Sequence, residues 1–227
     1  HTAYLYKDGS IETTGIQVIY EHYKCESIED IVDLWSRFDA KYSTRNQREI
    51  IGTVVGASGM FDGIPKKTIS LCKSALCLYE FGPSYQHRFD SHQQAKLLTE
   101  NVNFAHWVNK VIGPKSEARF KRVGVYFAVL LTYLEDDKSA ETFWYEVVEG
   151  TNPDPKSGSR QAHKNILIHA ANSGTGLSGK RRLTWDEQAA YCMVAWRAHT
   201  RGDSIIQLRL PPKGIYAFWS SPEPPDF

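Results

Sequence analysis

An apolar run over residues 123–134 constrains the fold of this chain more than any other segment. A membrane-spanning helix needs about twenty such residues, so the run is too short to cross a bilayer. Apolar side chains recur at steps of three and four from Phe120 to Leu134, and the other faces of the segment are apolar as well. We therefore predict a helix over residues 116–135 that lies at the centre of a helical fold.

The rest of the chain after residue 44 also shows helical patterns, separated by Gly, Pro and polar stretches. Thr184 and Glu187 form a capping-box pattern, which is typical of a helix start. Residues 205–210 fit either a short strand or an extended packing segment, and the Pro-rich tail is expected to be irregular. Further helices are predicted over residues 65–81, 92–112, 139–149, 160–171 and 184–199.

The first forty residues show a different pattern, which predicts a helix, a strand and a second helix. Residues 16–23 are β-branched and aromatic, which favours a strand. Ser27 then precedes apolar side chains at helical spacing, as an N-cap would. One strand cannot form a sheet alone, so we expect its partners in sequence that precedes His1, and we expect the chain to be incomplete at its start.

The composition indicates a globular protein without a strong overall electrostatic field. The net charge is +1, so only local basic clusters could attract nucleic acid, and no membrane partner is expected. No signal peptide is evident. The cysteines lie in apolar runs without zinc-like spacing, which favours buried thiols in a cytoplasmic protein and no metal site; they are Cys25, Cys72, Cys77 and Cys192.

The order of elements at the front resembles the second half of a ParB/sulfiredoxin-like domain. In that superfamily a turn of the type Asp-Gly-Gln-His-Arg precedes such a helix, and His1 stands at its His, with Thr2 replacing the usual Arg. Related phage and plasmid proteins continue into a helical domain. Two of their features, a Phe-Asp stretch followed by Arg and a late Ala-Trp, are matched by Phe38-Asp39 with Arg45 and by Ala195-Trp196-Arg197.

The resemblance implies a mainly α protein with two parts. Residues 1–43 would be the remnant of a ParB-like α/β unit, and residues 44–227 a helical domain with an irregular tail. It also implies nucleotide contact at His1 and Thr2. The superfamily includes DNA-partition proteins, nucleases and a phosphoryl-transferring reductase, so the resemblance selects no activity, catalytic residue or cofactor.

Three basic clusters carry side chains suited to phosphate contact. The first is the Gly-rich loop with Lys180, Arg181 and Arg182, directly before the capped helix. The second is Lys115, Arg119, Lys121 and Arg122, at the start of the predicted central helix, where Arg119 and Arg122 are three residues apart and expected to share a face.

Arg160, His163 and Lys164 could extend the second cluster into a basic surface. The third cluster, residues 43–48, contains Arg45 and Arg48. Each cluster has a structural alternative, namely a solvated loop, an exposed first turn and a helix cap.

Other polar and aromatic residues have simpler interpretations. The histidines lack metal-ligand spacing, and the acidic stretch at residues 135–137 is typical of a solvated turn. The tryptophans lie on apolar helical faces and are expected in the core, with Trp219 in the tail as the expected exposed exception.

These observations support three functions. The first is a phage- or mobile-element-type nucleic-acid-binding protein that contacts phosphates through the basic clusters. The second is a nucleotide hydrolase or nuclease of the ParB-like superfamily. The third is a protein–protein interaction module, an assembly component or inhibitor, which uses the Pro-rich tail and Trp219.

Overall fold

The computed structural model describes residues 59–84, 91–113, 118–171 and 183–220, and Asp30 as a helical residue. This part of the chain is mainly α-helical and contains no strand. The α/β unit predicted over residues 1–43 lies outside these ranges, apart from Asp30. The helices are α1 Lys66–Phe81, α2 Ser91–Glu100, α3 Val102–Val111, α4 Val123–Glu135, α5 Asp137–Glu149, α6 Gly158–Ala171 and α7 Trp185–Arg201, followed by a 3-10 helix at Gly214–Ala217.

The helix α4 is the centre of the core, as its apolar run predicts. Every residue from Gly124 to Thr132 is buried, and α4 packs against α1, α3, α5 and α7. The predicted start at residue 116 is wrong, because Arg122 is extended (φ −132°, ψ 147°) and α4 begins after it. A turn at residues 118–120 instead places Phe120 in the core, with 1% of its surface exposed.

The helices α1, α4 and α7 run in the same direction. Leu71 of α1 and Trp185 of α7 lie beside the first residues of α4. Glu80 near the end of α1 lines the same cleft as Glu135 at the end of α4, and the Trp196 indole of α7 donates to the Glu135 carboxylate. The positive ends of three helix dipoles therefore lie at one end of the core and the negative ends at the other.

Capping residues define several helix ends, and α5 begins at Asp137, two residues before its predicted start at residue 139. Thr184 Oγ1 accepts from the Glu187 N–H, while the Glu187 carboxylate accepts from the Thr184 N–H, so the predicted capping box is confirmed. Gly150 and Gly202 end α5 and α7 in the left-handed region, where φ is 62° and 69°. Asp136 accepts from two N–H groups of the first turn of α5, so this residue of the acidic stretch is a helix cap.

The single helix predicted over residues 92–112 is wrong, since the chain breaks at Asn101. The Asn101 backbone is non-helical (φ −111°, ψ 32°), and its side-chain amide donates to the Leu97 carbonyl at 2.9 Å. A side chain that bonds its own backbone offers an alternative to the helix. The break lets both Leu98 and Phe104 reach the core.

Apart from the 3-10 helix, the segment after α7 packs on the core as irregular chain, and it forms no strand up to Ser220. Ile205 N–H donates to the Lys156 carbonyl at 2.7 Å, and Leu208 and Ile215 are buried. Trp219 is only 7% exposed, so its predicted exposure is wrong. It contacts Phe127 of α4 edge to face, with ring centroids 5.0 Å apart.

Aromatic and sulfur-containing side chains fill much of the core. Trp144 and Trp196 are fully buried, as predicted, and the Trp144 indole N–H donates to Thr132 Oγ1 at 2.8 Å. Trp35 and Cys25 lie outside the described residues. The other cysteines, Cys72, Cys77 and Cys192, are buried free thiols.

Burial raises the pKa of Cys77 and of Cys192 to about 12 and that of Cys72 still further. These three thiols are therefore protonated at neutral pH and are poor nucleophiles.

Candidate anion-binding cleft

A cleft of about 350 Å³ lies where α4 and α7 begin, beside α1. Two of its lining residues are cations, one is an amide, and the others are mainly apolar. Together they combine positive charge with a partly apolar wall. They are Leu71, Lys121, Arg122, Val123, Gly124, Leu183, Trp185 and Gln188, which we call the basic cleft.

Gly124 allows the two helix starts to meet. A Cβ at this position would lie 2.3 Å from the Trp185 carbonyl oxygen and 3.0 Å from the Gln188 Cβ. Such distances exclude any larger residue without a backbone shift. The first turn of α7 can therefore approach the first turn of α4 and place Trp185 and Gln188 in the wall of the cleft.

The two helix starts differ in how they are capped. The first turn of α7 is closed by its capping box. The first turn of α4 has no side-chain cap and no acidic residue, and Arg122 is its N-cap. An uncapped helix start offers N–H donors and a positive partial charge, and Lys121 and Arg122 add two full charges beside it.

Gln188 supplies a further donor. Its side chain is 5% exposed, and its amide nitrogen has no hydrogen-bond partner among the described residues. A buried donor without a partner costs about 1–3 kcal/mol, so such groups commonly mark a place for an unseen partner. An anionic oxygen in the basic cleft would accept from this nitrogen and from the α4 N–H groups.

The structure brings part of one predicted cluster to this cleft and places other predicted residues elsewhere. Lys121 and Arg122 line it, and so does Leu183, the residue directly after Arg182. Arg119 lies in the exposed turn before α4, so the prediction that it shares a helical face with Arg122 is wrong. The remaining predicted residues lie outside the described ranges: His1, Thr2, Arg45, Arg48, Lys115, Lys180, Arg181 and Arg182.

Arg160 and His163 do not form the predicted basic surface. The Arg160 guanidinium donates to the Gly150 carbonyl, and His163 Nδ1 donates to the Val147 carbonyl at 2.7 Å. Both side chains thus bind the C-terminal carbonyls of α5, where cations and donors are favourable. Lys164, on the same helix, remains exposed.

A second polar cluster, which the sequence does not predict, joins α5, α6 and α7. Glu146 Oε2 accepts from Ser159 Oγ at 2.6 Å and from the Asn152 amide at 2.8 Å, and His199 Nδ1 lies 4.0 Å away. The Ser and His contact the same carboxylate oxygen, unlike a catalytic triad, in which the His links the Ser to the acid. This arrangement ties three helices together.

We expect the stability of the fold to fall in acid because of His199. Burial between Phe143 and Trp196 lowers the pKa of His199, and the nearby Glu146 charge opposes this only in part. The unfolded chain, where His titrates near 6.5, then binds more protons than the folded protein as the pH drops below that value. The free energy of unfolding should therefore rise with pH towards 7 and fall as the pH drops below about 6.5.

Urea unfolding between pH 5 and 7.5 checks this expectation, with His199→Gln as the comparison. The slope of unfolding free energy against pH should be smaller in the variant than in the wild type. Equal slopes would show that His199 does not contribute.

Comparisons with protein-family models, curated proteins and solved structures return no match for this chain. The ParB-like kinship therefore stays a prediction. Within the described ranges, no group of three His, Cys, Asp or Glu side chains is placed to hold a metal ion. None of the helices seen there is long and apolar enough to cross a bilayer.

Proposed function

We propose that this protein binds nucleic acid through phosphate contacts centred on the basic cleft. The observation that carries the proposal is the coincidence of an uncapped α4 N-terminus, two cations and a buried, unpaired Gln188 amide in one cleft. Helix N-termini with adjacent cations are common phosphate sites. The three parallel helix dipoles add to the positive potential at this end of the core.

The position of the predicted basic loop also supports a polymeric ligand. Lys180, Arg181 and Arg182 come directly before Leu183, which lines the cleft. Up to five cations in two short stretches would then follow successive phosphates, whereas one phosphate group needs fewer. Arg119, exposed in the turn before α4, extends the same run.

We further propose a cytoplasmic protein of the phage or mobile-element type, with Arg45 and Arg48 as additional phosphate contacts. The buried free thiols suit a reducing compartment. If the ParB-like unit is complete in the native protein, His1 and Thr2 would lie at its nucleotide-contacting turn. The alternative role of Trp219 as an exposed partner anchor is disfavoured, since its ring is packed on Phe127.

Replacing Lys121 and Arg122 with Ala should weaken nucleic-acid binding about tenfold at moderate salt. Each lost phosphate contact should reduce the slope of log affinity against log salt by about 1. Fluorescence anisotropy with labelled duplex DNA, single-stranded DNA and single-stranded RNA measures both quantities. Gln188→Met, which removes the unpaired amide, should weaken binding without lowering the melting temperature.

A matched control replaces two exposed cations outside the cleft, Arg209 and Lys213, with Ala. This variant should retain most of the affinity, since the charge change is equal but the position differs. The proposal is wrong if none of the three probes binds at low salt, or if both double variants lose affinity equally. A thermal shift with a free nucleotide but no binding of any polymer would favour the nucleotide-hydrolase alternative instead.

A further inference from the structure

A second cleft, of about 540 Å³, lies at the opposite end of α4 from the basic cleft. The two ends of this helix are about 20 Å apart, given its 13 residues. The lining combines apolar and aromatic side chains with two carboxylates. Its residues are Tyr79, Glu80, Leu131, Leu134, Glu135, Met193, Phe218, Trp219 and Ser220, which we call the acidic cleft.

The electrostatic potential in the acidic cleft is negative for two reasons, namely two carboxylates and two helix C-termini. The last turns of α1 and α4 both contribute to its walls, and neither turn contains a basic residue. The negative ends of two helix dipoles therefore lie beside the carboxylates of Glu80 and Glu135, a position where negative charge is unfavourable unless it is compensated.

Only one of the two carboxylates is compensated within the described residues. Glu135 accepts from the Trp196 indole at 3.2 Å and from Arg197 at 2.8 Å. Glu80 is exposed and forms no ion pair there. A cation that enters the cleft would meet an unpaired carboxylate, two helix C-termini and the aromatic ring of Tyr79.

The walls of the cleft are also apolar enough to hold a side chain next to that cation. Leu134 is 52% exposed and Tyr79 36%, although both belong to apolar faces of their helices. Neighbouring exposed apolar side chains of this kind commonly mark interaction sites. The Tyr216 ring, 48% exposed and stacked on Trp219, extends this surface.

We propose that the acidic cleft docks a polypeptide segment of a partner protein that presents Lys or Arg beside apolar side chains. The negative charge of the cleft favours an occupant that carries a cation. Nucleic acid would be repelled, and the chain's own residues 221–227 contain Glu223 and Asp226 but no cation. The protein would then have two oppositely charged sites at the two ends of one helix, one for phosphates and one for a protein.

The two methionines provide a direct measurement. Met193 lines the acidic cleft, whereas Met60 lies elsewhere, beside His106. With methyl-labelled Met, NMR gives one signal for the site and one internal control. The probes are short acetylated peptides in which Lys or Arg is flanked by Leu and Phe, each paired with a peptide that has Glu at the cationic position.

We expect the cationic peptides to shift the Met193 signal and leave Met60 unchanged, with binding that weakens as salt is added. Glu80→Lys should weaken this binding at least tenfold. The matched control is Glu149→Lys, another exposed glutamate in the last turn of a helix, which should bind as the wild type does. A lysine near a helix C-terminus is favourable, so both variants should fold.

Three results would overturn the proposal. The first is the absence of a Met193 shift with every cationic peptide. The second is equal binding of the Glu-containing peptides, or binding that Glu80→Lys does not change. The third is self-association of the wild type that Glu80→Lys abolishes, which would make a second copy of this chain the occupant. Loss of nucleic-acid binding at the basic cleft would not affect any of these readouts.

Discussion

Gly158→Ala should destabilise the fold by about 3 kcal/mol, although it adds a single methyl group. A Cβ at Gly158 would lie 2.1 Å from the Ala195 carbonyl oxygen and 2.9 Å from the backbone nitrogen of His199. Both are backbone atoms of α7, so no side-chain rotation relieves the overlap. The start of α6 must move away from α7.

That movement would disturb more than one contact. Ser159, the next residue, is fully buried and donates to Glu146 of α5 at 2.6 Å. The contact between Ile205 N–H and the Lys156 carbonyl lies just before the same helix start. Gly158→Ala therefore acts on the junction of α5, α6 and α7, where neighbouring interactions are expected to fail together.

Thermal or urea unfolding measures this effect, and a loss of about 3 kcal/mol corresponds to a melting temperature roughly 6–12 °C lower. Lys164→Ala, at an exposed position of the same helix, serves as the control and should change stability by less than about 0.5 kcal/mol. If Gly158→Ala were as mild as the control, the close contact between α6 and α7 would be disproved.

Much of the helical structure could be predicted because its signals are local. Thr184 with Glu187 marks the start of α7, and Gly150 marks the end of α5, since each acts on neighbouring backbone groups. The apolar run of α4 likewise predicts burial on all faces, because no polar side is left for solvent.

The errors arise where distant residues decide the local structure. The segment before α4 has a helical pattern, yet Phe120 turns into the core, where its ring lies beside His163 of α6. The parallel direction of α1, α4 and α7 depends on close approaches such as Gly124 to Trp185, which no periodicity reveals. The break at Asn101, where the side-chain amide donates to the Leu97 carbonyl, is likewise not shown by the apolar periodicity of residues 92–112.

The candidate sites show the same division. Lys121 and Arg122 are visible in the sequence as a basic cluster, whereas Gln188 resembles any polar residue of an amphipathic helix. Its significance lies in burial without a partner, which only tertiary structure can produce. The acidic cleft combines four segments that are separate in sequence, so neither its charge nor its shape could be predicted.

Trp219→Ala should lower the free energy of unfolding by about 3–5 kcal/mol, the usual cost of removing a buried indole. The ring is 7% exposed, and its contact with Phe127 attaches the C-terminal segment to the most buried helix. Such an edge-to-face pair contributes about 0.5–1.5 kcal/mol beyond the area that it buries. An indole in solvent, as the sequence alone suggested, would cost less than about 0.5 kcal/mol to remove.

The neighbouring Tyr216 shows what the loss of an aromatic side chain costs when that side chain is not buried. It is stacked on Trp219 but remains 48% exposed, so Tyr216→Ala should cost no more than about 1 kcal/mol. Denaturant unfolding of both variants gives the comparison, and Trp219→Phe should recover part of the loss because a smaller ring still reaches Phe127. Equal, small effects of Trp219→Ala and Tyr216→Ala would mean that the C-terminal segment is not anchored on α4, and the aromatic wall of the acidic cleft would then be lost as well.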